Sequence, residues 1–324
     1  MTGRFALTVI ATTGEEFSDF APYVASVNDA GTVALQAALD DGRTGVFTGR
    51  GAVVVGPSLV ARVTSHPDVN NAGDMSFYGD LPNGRQAVFF IRDRELRTIA
   101  STGERFVSIG PLGPTMNEVG AVAFRADGRG GASGIFVGDD ASVTTIADTD
   151  GPWSRFHGLP VITGDGTVVF RADRKDGVGG IYARRDESMR TVAETGGEFE
   201  SLGLFPSAND RGVVAFAATP GVFTADEDRV MQIAGTDGPF ESCRGALIAD
   251  DGAVVIIATP WDGTLGLFAG PDPKADRILA AGDPLLGSTV TELRSNPVSV
   301  AVGHVAIAAI LTDGRQVILR ADTQ

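Results

Sequence analysis

Cysteine occurs once in this chain of 324 residues, and histidine three times. Lysine is confined to Lys175 and Lys274, so arginine carries nearly all the positive charge. A lone Cys243 excludes an internal disulfide, and one cysteine with three histidines makes no obvious zinc set. No apolar run approaches the ~18 residues of a membrane span. The opening "MTGRFALTVIATTGEEF" lacks the apolar core and small-residue cleavage pattern of a secretory leader. No long window repeats apolar residues with a 3.6 period, so almost no helix is expected. Also missing are G-x-x-x-x-G-K-[ST], G-x-S-x-G and any basic or aromatic nucleic-acid signature. A formal net charge of −15 repels phosphate backbones and anionic bilayers. The expectation is a cytoplasmic protein with no nucleic-acid or membrane partner, no cofactor and no bound metal. The fragments "DTDG" at 148–151 and "DDG" at 40–42 and 250–252 lack the full spacing of a calcium loop, and turn chemistry explains them.

Glycine and proline, 43 and 16 residues, are spread along the whole length. Evenly placed breakers predict many short strands joined by tight turns. One phrase recurs: "ASVNDAGTVAL", "PDVNNAGDMSF", "PTMNEVGAVAF", "PVITGDGTVVF", "PSANDRGVVAF" and "ALIADDGAVVI". Its glycine falls at Gly31, Gly73, Gly120, Gly166, Gly212 and Gly252, spaced by 42, 47, 46, 46 and 40 residues. "PVSVAVGHVAI", from Pro297, is a degenerate seventh copy. After each phrase comes an alternating run such as "AVAFRA". Next comes a G-apolar-aromatic triplet ("GVF", "GIF", "GIY", "GVF", "GLF"), then a run ending in Ile-Ala or Val-Ala and A-x-T-[GD]. Four short strands per repeat match one propeller blade.

The two ends split one repeat. "QVILRADTQ" stops at a third strand, and "RFALTVIATTGEEF" reads as a fourth strand with no preceding three. The sequence therefore predicts an all-β, seven-bladed β-propeller of four-stranded antiparallel blades. The strand near Phe5–Ala11 should complete the last blade and join the ring. One domain over 1–324 is expected, with blades near 12–55, 56–100, 101–147, 148–193, 194–234, 235–280 and 281–324 plus 4–11.

In N-D-x-G the Asn side chain can accept from a backbone N–H two residues on, and the glycine tolerates positive φ, which makes a tight turn. Pro67, Pro114, Pro160, Pro206 and Pro297 precede that turn. Proline has no N–H and belongs on a sheet edge, so the first strand should line the channel. These phrases resemble bacterial β-propeller repeats of the N-x-x-G-x-x-A-F type over nearly the whole chain. The resemblance implies a fold and no activity.

Propellers commonly bind ligands where the fourth strand of one blade leads into the first of the next. Strand alternation, counted back from the Asn position, places candidate residues on that stretch. They are Arg62, Thr64 and His66 in blade 2; Arg155 and His157 in blade 4; Glu241 and Cys243 in blade 6; and Glu292, Arg294 and Asn296 in blade 7. The matching residues of blades 1, 3 and 5 are mostly apolar. Apolar walls with a few convergent polar groups describe a small-molecule pocket. In that reading His157, Glu241 and Glu292 are the proton-transfer candidates, and Arg62, His66, Arg155, Arg294 and Asn296 hold an anionic substrate. The bland alternatives are wall histidines, arginines paired with Glu241 and Glu292, and a buried apolar Cys243. Trp153 stands where other repeats have Phe17, Phe106, Phe199 and Phe240, so it reads as core.

Two functions fit. One is an enzyme (lyase, isomerase or cyclase, or hydrolase) acting on a small anionic molecule at the channel mouth. The other is a non-catalytic scaffold that binds a protein or peptide partner on the same face.

Overall fold

The computed structural model describes residues 5–20, 22, 24–56 and 58–324. Residues 1–4, including residue 4 of the expected closing strand, lie outside the described set. Seven antiparallel sheets follow one another along the chain. Alternating runs separated by short turns pair with their sequence neighbours, as blade 4 shows. Its strands Trp153–Ile162, Val168–Arg174, Gly179–Arg185 and Ser188–Glu194 are hydrogen-bonded in chain order. The last sheet joins both ends of the chain: Phe5–Thr12 pairs antiparallel with Gln316–Thr323, which pairs with His304–Leu311. The N-terminal strand is thus the outer strand of blade 7, and the propeller closes as expected. The single helical segment among the described residues is the 3-10 turn Pro297–Ser299. No described helix is long and apolar enough to cross a membrane.

The core lies between blades. Blade 2 contributes Phe77 and Phe89 against Ala34 and Val46 of blade 1. Blade 4 sets Trp153, Phe156 and Phe170 against Ala123 and Ile135 of blade 3. At the closing seam, Phe20, Leu35 and Phe47 of blade 1 meet Ala306 and Ile318 of blade 7, with Ile10 and Ala11 of the N-terminal strand packed alongside. Each such large side chain contributes about 1.5–3 kcal/mol on burial. Closure is therefore a packing event as well as a hydrogen-bonding one.

The G-apolar-aromatic triplet has a steric cause. Its aromatic ring folds back over the glycine two residues earlier. A Cβ on Gly180 would lie 2.3 Å from the Tyr182 hydroxyl, and one on Gly134 would lie 2.9 Å from Phe136 Cζ. The ring then stacks on its register partner in the second strand: Phe124 on Phe136 at 5.7 Å and Phe216 on Phe223 at 5.7 Å. In blades 1, 3, 5 and 6 the aromatic residue that opens the blade meets the ring of the triplet edge-on, as Phe199 does Phe223 at 5.0 Å. Trp153 takes this place in blade 4, 4.4 Å from Tyr182 and 6% exposed.

The inner strand differs from the continuous one on which the alternation count rested. In blade 2 it is two short pieces, Arg62–Val63 and Asp68–Val69, paired to opposite ends of Met75–Asp80. In blades 4 and 6 it is continuous but bulged, between His157 and Val161 and between Cys243 and Gly245. A bulge or break shifts the side-chain alternation. Residues eight, six and four before the turn therefore do not share one face in every blade. Four of the five prolines sit along this edge strand: Pro67, Pro114 and Pro206 immediately precede its second piece, and Pro160 lies in the bulge. Pro297 instead opens the 3-10 turn Pro297–Ser299, because its fixed φ suits a helical first turn.

The repeated Asn does more than cap its turn. Asn28 Oδ1 accepts from Thr32 N at 2.9 Å, while its Nδ2 donates to the Asn70 carbonyl of the next blade at 2.8 Å. Asn117 reaches Thr163 O at 3.2 Å and Asn209 reaches Ala249 O at 3.1 Å in the same way. One amide thus satisfies a turn and fixes the spacing of two blades.

Candidate functional site

At the Asn-turn end of the axis lies a cavity of about 120 Å³, lined by Val27, Asp68, Met116, Ile162 and Ile248 among others. Its rim is a collar of Asp29, Asn71, Glu118, Asp210 and Asp250, each the residue after the repeat's Asn position. Each collar side chain accepts from a backbone N–H of the preceding blade. Val302 N donates to Asp29 at 2.8 Å, Asp29 N to Asn71 at 2.8 Å, Asn71 N to Glu118 at 3.1 Å, and Asp210 N to Asp250 at 2.8 Å. Gly164 N donates to Asp210. Burial, then repulsion from the facing carboxylates, raises the carboxyls of Glu118 and Asp250. Among the described residues no group of three or more His, Cys, Asp or Glu is arranged to hold a metal ion. The collar is an interblade clasp, which the sequence reading had taken for turn chemistry. Deeper in the same cavity Asp68 is buried and accepts from Met116 N at 2.7 Å and Val69 N at 2.9 Å, and burial pushes its carboxyl up to about 7.

The residues picked from sequence occupy several environments. Arg62 is exposed and bonds Asp80 at 3.0 Å. His66 is 2% exposed, and burial pushes its imidazole down to about 4. Its ring packs so tightly on blade 3 that a Cβ on Gly113 would lie 2.5 Å away, and its Nε2 has no hydrogen-bond partner among the described residues. Arg294 pairs with Glu292 at 2.8 Å within one strand. Asn296 caps the 3-10 turn, accepting from Val298 N at 3.1 Å. Glu241 is exposed on Phe240–Ile248. Cys243 is half-buried, and burial pushes its thiol up to about 11, which leaves it without thiolate character. Among the described residues, Arg294–Glu292 is the one hydrogen bond or ion pair that joins two of the candidates.

His157 sits in a different setting. Its Nε2 lies 2.7 Å from Asp173 Oδ2, across the strand pair from it. Asp173 Oδ1 accepts from the buried Arg171 guanidinium at 2.8 Å. Burial works to raise the Asp173 carboxyl, but the hydrogen bonds from His157 and Arg171, with their charges, outweigh it and hold it below the usual range. An ionised Asp173 draws the proton to Nε2, which leaves the Nδ1 lone pair as acceptor. Arg155, exposed, is the register neighbour of Asp173. From blade 3, Arg125 donates to the carbonyls of Phe156 at 2.9 Å and Gly158 at 3.0 Å, bracketing His157 on its own backbone. Burial, then the like charge of Arg155, lowers the Arg125 pKa. Gly158 has φ +55°, and a Cβ there would stand 2.0 Å from Leu204 O of blade 5. That contact brings the exposed Leu204 and Phe205 beside the His157 strand.

The sequence reading missed Asp173 and Arg171. The signal was present as "FRAD", written at 124–127 and again at 170–173. A third Arg-Ala-Asp, at 320–322, also meets a histidine, with His304 Nδ1 2.6 Å from Asp322 Oδ1 and Arg320 Nε 2.7 Å from the same oxygen.

The fold places the chain among the β-propellers. The sequence matches no known family and no curated protein. In structure it is similar to an oligogalacturonate lyase from Vibrio parahaemolyticus, at 12% identity and TM-score 0.61, with 98% of each chain covered. It is also similar to a puromycin-hydrolyzing peptidase from Mycobacterium tuberculosis, at 13% identity and TM-score 0.58, over 94% of this chain and about half (52%) of the peptidase. A third likeness is to the Cps50 (Swd1) β-propeller domain of Myceliophteria thermophila, at 11% identity and TM-score 0.50, covering 95% and 98% of the two chains. Enzymes and a propeller named for no reaction thus share this architecture, and these likenesses carry the fold alone.

Proposed function

We propose that the protein binds a small anionic molecule beside His157 and that His157 transfers a proton on it, as in a lyase, isomerase or cyclase, or hydrolase. The observation that carries this reading is the Arg171–Asp173–His157 chain, in which a buried guanidinium fixes a carboxylate and the carboxylate fixes an imidazole. Nδ1 is then a base positioned by its own strand pair. Arg155 supplies exposed positive charge for a carboxylate or phosphate, and Leu204 and Phe205 supply apolar walls. In a lyase reaction Nδ1 would take the proton from the carbon next to the substrate carboxylate while Arg155 holds the charge that develops there. The electron pair then forms the Cα–Cβ double bond as the Cβ–O bond breaks, and the departing oxygen takes a proton from water or from the imidazolium. Arg62, Glu241, Glu292, Arg294 and Asn296 belong to other blades and have no part in this reading.

The test is a turnover screen with uronate oligosaccharides, sugar lactones and small phosphate esters, run on the parent and on His157→Ala. A parent turnover that falls about 100-fold or more in the variant supports the assignment. Equal turnover by both folded proteins overturns it.

A second reading, a scaffold for a protein or peptide, is favoured by Leu204 and Phe205, two consecutive exposed apolar side chains of blade 5. It expects a partner whose binding survives His157→Ala and is lost in Phe205→Asp.

A further inference from the structure

Trp261 is 62% exposed, while Trp153, the chain's other tryptophan, is 6% exposed. An indole left in water on an otherwise well-packed molecule is a large apolar surface without a partner. Trp261 is not loosely held. Its Nε1 donates to Gly238 O at 3.2 Å, and its backbone N–H donates to Pro239 O at 3.2 Å. These bonds anchor one edge of the ring and leave the rest of it for a ligand.

The ring is one wall of an open pocket of about 560 Å³, whose other walls are Pro239, Pro271 and Pro273, with Asp262 and Lys274 among its lining. The proline-bearing loop is pre-ordered. Asp272 Oδ1 accepts from Lys274 N at 2.9 Å and from Ala275 N at 3.0 Å, and Asp276 Oδ2 accepts from Asp272 N at 3.0 Å. Rigid walls lower the ordering cost of binding.

Asp262 and Lys274 are both exposed, and neither side chain has a hydrogen bond or ion pair within the described residues. A carboxylate only accepts and an ammonium only donates. A ligand that satisfies both must donate and accept at neighbouring positions while offering an apolar face to the indole. The lining holds two carboxylates, Asp262 and Asp272, and one ammonium, so it disfavours an anion. Asp272 is already engaged by the loop N–H groups and the nearby Lys274 charge, which leaves Asp262 as the open acceptor. A polyproline segment fits poorly, because proline has no N–H for Asp262. A pyranose ring fits: its axial C–H face is apolar, and each hydroxyl both donates and accepts. The volume suits one or two such rings.

We propose that Trp261, Asp262 and Lys274 form a binding site for a neutral hexopyranose unit of an oligosaccharide. The indole takes the C–H face, and the two charged groups take vicinal hydroxyls. This site is separate from His157 and does not depend on the function proposed there.

The test uses intrinsic fluorescence. In a Trp153→Phe background, where the replacement matches the residue other blades carry, Trp261 is the sole indole and is excited selectively over the tyrosines at long wavelength. This protein is titrated with neutral tetrasaccharides of glucose, mannose and galactose, and with a proline-rich decapeptide. Calorimetry on the parent gives the same readout if the background variant does not fold. The expected result is a saturable change in emission with one or more tetrasaccharides. Affinity should fall about tenfold or more in Trp261→Ala and Asp262→Asn by calorimetry, and stay unchanged in His157→Ala. Silence from every tetrasaccharide up to about 10 mM, unchanged binding in Trp261→Ala, or saturation by the decapeptide alone overturns the proposal.

Discussion

The side-chain amide of Asn28 donates to the backbone carbonyl of Asn70 across 2.8 Å, a bond that runs from one blade to the next. The same side chain accepts from Ala30 N and Thr32 N within its own turn. Asn28→Asp keeps the acceptor and loses the donor, and it sets a charged oxygen against a carbonyl. The expected loss is about 1–3 kcal/mol by denaturant unfolding. Asn28→Ala should cost a similar amount. If Asn28→Asp is neutral, the interblade bond contributes nothing and the turn alone explains the repeat.

Closure rests on the strand Phe5–Thr12 beside Gln316–Thr323. Deleting residues 1–12 leaves the Gln316–Thr323 edge unpaired and removes Ile10 and Ala11 from the seam between blades 7 and 1. We expect a fall in Tm of about 10 °C or more, with concentration-dependent association through the bare edge. An unchanged Tm would show that the seam holds without its outer strand.

Asp68 ties protein stability to pH. Burial pushes its folded carboxyl up to about 7, well above the usual carboxylate range. The folded state therefore binds that proton more tightly than the unfolded chain does. The associated stability is fully present below about pH 4 and is lost as pH rises through about 7. Asp68→Asn removes this contribution. The stability of the parent relative to the variant should fall by on the order of 2–4 kcal/mol between pH 4 and 8. Parallel curves over that window would place the titration elsewhere.

Gly158 combines a positive φ with a close approach to the Leu204 carbonyl. Gly158→Ala pushes a methyl group into backbone of blade 5. A destabilisation of about 2–4 kcal/mol is expected, with displacement of His157 visible as an altered imidazole shift by NMR. Gly166→Ala is the control: its φ is +84° with open space around it, so it bears backbone strain only and should lose about 1–2 kcal/mol.

Asp173→Asn tests orientation at the proposed base. The amide retains the shape but presents no carboxylate to Nε2. If His157 acts as proposed, turnover should fall about 10- to 1000-fold with the substrate KM little changed. Turnover equal to that of the parent would limit Asp173 to a packing role.

Repeat period, blade number and ring closure were legible from residue order alone. The Asn-x-x-Gly turn and the glycine under the aromatic ring are local steric facts that most copies share, and the split repeat at the two termini supplies the closure. The site was less legible. His157 and Arg155 were picked by counting along a strand, but that count assumed unbroken alternation, and the bulge at Gly158 and the breaks beside Pro67 and Pro114 shift it. Asp173 and Arg171 went unread because their role depends on a neighbouring strand placed 16 residues away from His157 in the chain.

The amino-acid sequence by itself determined a ring of seven sheets, since each repeat carries its own turns, its own alternating strands and one face that only another blade can cover. Tertiary structure decided which polar groups meet. The collar at Asp29, the sealed His66, the exposed Trp261 and the His157–Asp173 pair all depend on how blades and strands pack. That packing is set by contacts between residues tens of positions apart, which no local pattern encodes.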